Sequence, residues 1–345
     1  MRKLIALVLL CLVATASWAE LPLYVAVEAM HRDVADRAAS DQLGSVLADA
    51  DKYLKTQERF ADGRWKLAIL LGGLRRGFES RVRTGDDWAR HEAAIRTLAH
   101  DHPDSQNAWL MLAILHQGHA WAVRGAGFSN TVSRDRQRTF TTYLAAARQI
   151  LDAHPAPANP AWHQLQIDIG GALGDGPAAL DAMFAKAVRA QPDYQQTWFS
   201  RLNYLTPKWG GSMDDLVRFI NDSARVPTTE GHGMMARLLW IADTAGYPET
   251  IADPRIDWKA VKQAYDDVLA HYPDDWNAQW FFLQACDHAD KAEAVHLLSY
   301  VRHDPSPALL QDNVQVFNVC RDWARGKLPM FMMRDTATGQ LRRIE

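Results

Sequence analysis

Apolar residues recur along most of the chain at the three-to-four-residue spacing of one helix face, whereas the strict alternation of a strand is almost absent. Between Pro177 and Arg189, Leu180, Met183, Phe184, Ala187 and Val188 fall at offsets 0, 3, 4, 7 and 8. Such a stripe predicts a helix with one face to bury. Trp258, Val261, Tyr265, Val268 and Leu269 form a second stripe, ended by His271-Tyr272-Pro273 because proline has no N–H with which to continue a helix. The whole chain reads as about a dozen helices, joined at turns that include Gly63, Pro103, Pro155, Gly174, Pro192, Pro207 and Pro273. The expected fold is therefore all-α, an array of antiparallel helix pairs over residues 20–329. Only the tail, residues 330–345, differs: Thr338-Gly339 separates two short segments that predict a β-hairpin.

The turns repeat. Leu98-x-x-Asp-His-Pro103-Asp104 is followed by Trp109, Val188-x-x-Gln-Pro192-Asp193 by Trp198, and Leu269-x-x-Tyr-Pro273-Asp274 by Trp280; His154-Pro155 before Trp162 is a looser copy. The prolines lie 52, 37 and 81 residues apart, and the last interval is roughly two units of forty. This seam resembles the tetratricopeptide repeat, a helix-pair solenoid, but it lacks the regular period of about 34 residues. Thirteen tryptophans raise the question of an aromatic-ligand platform. Trp109, Trp162, Trp198, Trp258 and Trp280, each at the start of a helix, are expected instead to wedge into the core.

Composition narrows the class. With 345 residues, 48% hydrophobic and 23% charged, the chain has the material for a large core, which excludes disorder, collagen and a disulfide-dense miniature fold. Arg2 and Lys3, the apolar run Leu4 to Ala14 and the small residues Ser17 and Ala19 read as a signal peptide over residues 1–19, cleaved near Ala19. The run is too short for a membrane span of roughly twenty residues. A periplasmic or secreted chain without an integral membrane segment is the expectation. Bulky Leu10 before Cys11 argues against a lipoprotein site. Removing Arg2 and Lys3 takes the basic count from 38 to 36 against 41 acids, or −3 to −5, which disfavours nucleic acid as a partner. The remaining cysteines, Cys286 and Cys320, fall near the same end of two helices; they are either a disulfide or two separate buried thiols.

Two segments do not fit ordinary helix joints. In Ala120-Trp121-Ala122-Val123-Arg124-Gly125-Ala126-Gly127, Trp121 and Arg124 share a helix face, and Gly125 and Gly127 then release the backbone. Arg124 is either a fork for a ligand carboxylate or a cap on the helix's own last carbonyls. In Pro207-Lys208-Trp209-Gly210-Gly211-Ser212, Gly210 and Gly211 allow a tight path, while Ser212 and Asp215 have capping-box spacing. Backbone N–H groups there are candidates to accept an anion. No phosphate loop is present, since Lys208 precedes the glycines. Trp121, Arg124, Gly125, Gly127, Lys208, Trp209, Gly210 and Gly211 are the candidate binding residues.

These segments, with Gly63-Arg64-Trp65-Lys66-Leu67 and Pro192-Asp193-Tyr194, resemble in order and spacing a family of bacterial proteins catalogued only as a domain of unknown function, over roughly residues 40 to 300. The resemblance implies a helical-repeat-like domain without an assigned activity and carries over no catalytic residue. It also sets Lys208 where other members carry arginine, a change that keeps the charge but loses a bidentate fork.

Signals for chemistry are sparse. His116 and His119 are three apart on one predicted helix, yet no Glu follows His116 in the zinc-protease pattern and no third ligand is identifiable. Neither a nucleophile elbow nor the strands to carry one are present, and Asp214-Asp215 and Asp274-Asp275 fit helix starts. The sequence asks for no cofactor or metal. It favours a non-enzymatic scaffold that binds a peptide or an envelope protein. The alternative is a hydrolase or metalloenzyme near His116 and His119; a purely structural accessory protein is a third reading.

Overall fold

The computed structural model describes residues 23–344, apart from 41, 82–83, 126, 128, 227, 306, 311–312 and 335–340. The leader predicted for residues 1–19 and the turn at Thr338-Gly339 lie outside the described residues. The helices are α1 Leu23–Ala39, α2 Leu43–Thr56, α3 Lys66–Arg81, α4 Gly85–Asp101, α5 Ala108–Arg124, α6 Arg134–Ala153, α7 Pro160–Leu173 and α8 Pro177–Ala190, then α9 Gln195–Asn203, α10 Met213–Ser223, α11 Gly233–Thr244, α12 Trp258–His271, α13 Asp275–Asp287, α14 Lys291–Leu298, α15 Pro307–Leu310 and α16 Val314–Ala324. The chain is an all-α array: neighbours such as α5 and α6 or α11 and α12 pack together, and so do alternate helices such as α1 and α3, α3 and α5, and α7 and α9.

The recurring turns have one steric cause. His102, His154, Gln191 and Tyr272 each precede a proline, whose ring disfavours the helical region for the residue before it. All four adopt φ between −152° and −123° with ψ between 63° and 88°. Each still donates its N–H to the carbonyl four residues back, namely Leu98, Ile150, Ala187 and Val268. The helix therefore ends on its last good hydrogen bond, and the chain turns toward the next one. There the tryptophan closes the joint: Trp198 Nε1 donates to Pro192 O at 2.9 Å and Trp162 Nε1 to Leu151 O at 3.3 Å.

Of the five tryptophans expected in the core, Trp198 and Trp280 are buried, whereas Trp109, Trp162 and Trp258 are half-exposed. Each of these three packs against a core cluster from its margin and also meets a histidine. Trp109 stacks on His154 at 3.7 Å, Trp258 on His288 at 3.9 Å, and Trp162 meets His163 edge-on at 4.9 Å. Their partial exposure follows from size: an indole at a helix start is large enough to cover the joint with one face while its rim stays wet.

The buried apolar side chains form two clusters, one drawn from residues 34–194 and one from 198–344. A tight hairpin between α2 and α3 ties them together. Arg59 and Trp65 pair across it, and Gly63 turns it at φ +93°. Trp65 Nε1 donates to Asp193 O and Gln195 Nε2 to Gly63 O, while Arg237 Nη2 and Asn277 Nδ2 both donate to Asp62 O. Arg237 also pairs at 2.6 Å with Glu230, and both side chains are about 5% exposed. A buried charge pair of this kind is held by its neighbours' hydrogen bonds as much as by attraction.

Near the C-terminus, Cys286 of α13 and Cys320 of α16 are joined by a disulfide across a Cα separation of 6.2 Å. The tail forms a two-stranded antiparallel sheet, β1 Phe331–Arg334 with β2 Leu341–Ile344, in which Phe331 pairs with Ile344 and both are buried in the second cluster.

Candidate functional site

The two unusual segments converge. Trp121, in the last turn of α5, is half-buried and meets Phe140 of α6 edge-on at 4.9 Å. Arg124 lies one turn further along, its guanidinium carbon 5.3 Å from the Trp121 ring and 5.5 Å from Phe140, a distance at which the ring faces attract a cation. Its Nη1 donates to Gly125 O at 3.0 Å and Gly127 O at 3.1 Å. One edge of Arg124 therefore holds the loop that follows α5, through carbonyls beyond the helix's own last ones. Gly125, at φ 75° and ψ 179°, occupies backbone space that only glycine enters readily.

After α9, Pro207–Trp209 forms a single 3₁₀ turn. Gly210 follows at φ +89°, and a Cβ on Gly211 would lie 2.0 Å from the Leu205 carbonyl oxygen. Both glycines are thus required by the path of the chain. Of the backbone N–H groups around this turn and helix start, Gly210 N donates to Pro207 O, Gly211 N to Thr206 O, and Asp215 N to Ser212 Oγ. These three donors are satisfied within the segment. The turn also presents Trp209, whose ring lies 6.3 Å from Trp121 at 86° and 5.1 Å from Tyr204. Tyr204 is itself anchored, since its hydroxyl donates to Asp168 O at 2.7 Å and its ring covers Gly171, where a Cβ would lie 2.4 Å away.

Trp121, Arg124, Gly125, Gly127, Lys208 and Trp209 line one cleft of about 580 Å³. α3 adds Arg75 and Glu79, and the end of α9 adds Asn203; sequence reasoning missed all three. The only local sign of the α3 pair was its i,i+4 spacing, which is ordinary on helix surfaces. Arg75 is 3.6 Å from Glu79. Burial raises the pKa of the Glu79 carboxyl, against the pull of Arg75 and Arg76. Lys208 Nζ has no hydrogen-bond or ion-pair partner among the described residues, although its backbone N–H donates to the Tyr247 hydroxyl at 3.3 Å. Beyond the Arg75–Glu79 pair the cleft thus holds two further cations, Arg124 and Lys208, between two indoles. That is a setting for an anionic group attached to an apolar or planar one.

A larger cleft, of about 720 Å³, lies among the proline turns, lined by Asp51, His102, Pro103, Ser105, Pro160 and Gln191, among others. There Asp51 is committed to the fold, accepting from both Ser105 Oγ and Asn107 Nδ2 at 2.8 Å. We place the site at the smaller cleft, where the two segments that break the helix pattern meet.

His116 and His119 belong to the packing of α4, α5 and α6. His119 is sandwiched between Trp88 at 4.0 Å and Tyr143 at 3.9 Å. Burial, then the neighbouring His116, lowers its pKa to about 4. His116 is buried, with Glu92 3.6 Å from its Nε2, and burial lowers its pKa as well. The three described side chains that bring metal-ligating atoms within 4.8 Å of one another are others, Asp266, Glu293 and His296. There His296 Nε2 is already hydrogen-bonded to Asp266 at 2.8 Å, and both side chains are exposed.

Among the described residues no helix is long and apolar enough to cross a membrane. No family model, curated protein or solved structure matches the chain.

Proposed function

We propose that this chain is an exported helical-repeat protein of the bacterial cell envelope that binds a peptide or a partner protein. The observation that carries the proposal is the meeting of Trp121 and Arg124 with Lys208 and Trp209 in one cleft, although they come from the ends of different helices. Aromatic anchors beside arginine are the composition of interface hot spots. The signal-like leader supports export, and so does the disulfide between Cys286 and Cys320, a bond that persists in oxidising compartments.

Crosslinking of the tagged protein in its native host, followed by mass spectrometry, tests this reading when wild type is compared with a Lys208→Glu/Trp209→Ala variant. The expected result is one dominant partner, captured by wild type and lost with the variant. Equal capture by both proteins, or none by wild type, removes the cleft as a docking site.

A further inference from the structure

Trp209 lines a second lobe as well. It also borders a space of about 610 Å³, walled by Gly174, Gly176, Leu180, Tyr204, Gly210 and Phe219. The two lobes differ in charge and in floor. In the first, Arg124 and Lys208 exceed the available carboxylates, as described above. In the second, every acid has an arginine of the same chain: Asp175 with Arg148, Asp181 with Arg201, Asp215 with Arg218 and Asp222 with Arg225. The acids of the second lobe are thus all ion-paired within the chain, two of them with Arg148 and Arg225, which do not line it, and none is left as an open partner for a ligand cation. Around it, Gly174, Gly176 and Gly210 have open space where a Cβ would stand, so a backbone can approach closely.

Resting on the reading above, we infer that the ligand is an extended peptide whose terminal carboxylate lies in the first lobe, between Arg124 and Lys208, and whose preceding uncharged residues cross Trp209 into the second. Charge complementarity selects this occupant. A compact anion would need the first lobe alone, and a segment charged along its length would leave charges unpaired in the second. Arg124, with one edge bound to the loop carbonyls, is pre-set to offer its other edge, while Lys208 contributes a mobile point charge. Trp209 supplies a flat surface for the side chain between them.

The two lobes can be blocked separately. Lys208 is exposed, so Lys208→Glu reverses a charge of the first lobe without touching the core. Gly176 is the N-cap of α8 at φ −66° and ψ 161°, a conformation open to any residue. Gly176→Tyr therefore fills the second lobe without backbone strain, and Gly176→Ser, a better N-cap, is its control.

The probe is a biotinylated octapeptide pool, randomised at its last four positions, in three forms: free carboxyl, C-terminal amide, and amide with Asp at the penultimate position. Binding is measured to the full chain. We expect the free-carboxyl pool to bind, amidation to weaken binding at least tenfold, and Lys208→Glu to do the same. Gly176→Tyr should weaken it at least tenfold and Gly176→Ser by less, with both variants melting as wild type does. The inference is overturned by amide and acid pools that bind alike, by a pool that ignores Gly176→Tyr, or by no binding at all. Equal binding of the penultimate-Asp amide would move the carboxylate from the terminus to a side chain and so overturn the terminal assignment. If crosslinking finds a cleft-dependent partner while the free-carboxyl pool fails, this inference falls and the scaffold reading stands. Failure of the crosslinking alone removes that reading.

Discussion

Gly63 shows how one residue joins distant parts of the chain. A Cβ there would lie 2.6 Å from Arg237 Nη2 and 2.7 Å from the Tyr272 ring, at a backbone φ of +93°. Gly63→Ala should therefore cost about 3 kcal/mol, from strained backbone plus displaced neighbours, seen as a lower urea midpoint at unchanged slope. The candidate site gives a ranked set of its own. Trp121 packs on the first core cluster, whereas Trp209 belongs to neither cluster and Gly210 holds a glycine backbone. Trp121→Ala and Gly210→Val should each destabilise the chain by about 2 kcal/mol, more than Trp209→Ala. Should Trp209→Ala prove the worst of the three in thermal melts, Trp209 is a structural wedge and the recognition surface is misassigned. The glycines and tryptophans of both segments were legible in the sequence as departures from helix patterning. What each one faces was not, because a glycine forced by φ and one forced by a neighbour's carbonyl, as at Gly211, look alike in sequence.

At the scale of elements, the α4–α5–α6 contact carries a pH dependence. His119, stacked between Trp88 and Tyr143, has its folded pKa lowered to about 4 from an ordinary 6.5. Between those values the unfolded chain binds a proton that the folded one does not, so stability rises with pH across this window and is lost as pH falls from about 6.5 to 4. His119→Phe retains an aromatic ring in the stack and removes the titration. The stability of wild type relative to this variant, from urea melts at pH 7, 5.5 and 4.5, should fall at each acid step; a constant difference would show that His119 titrates normally. The helix boundaries themselves are local products. Four prolines impose one geometry on the residues before them, and that geometry depends on nothing further away than the preceding turn.

The whole molecule is held at its C-terminal end by the bond between Cys286 and Cys320, which closes a loop of 34 residues. Chain-entropy arguments place its contribution at about 4 kcal/mol. The Cys286→Ala/Cys320→Ala variant should melt at a lower temperature than the oxidised protein, with the tail strands β1 and β2 exchanging amide hydrogens faster, since α16 leads directly into them. Unchanged melting would mean that packing alone fixes α16. By itself the sequence determined the all-α class, the repeating joints and the two segments that break the pattern, because helix periodicity and proline sterics act within a few residues. The tertiary structure alone decided that Trp121 and Trp209 meet, that Arg75 and Glu79 join them, that Lys208 Nζ has no partner among the described residues, and that His119 is stacked between Trp88 and Tyr143. Those outcomes depend on how the helices pack, and packing is a sum over many weak contacts between residues far apart in the chain.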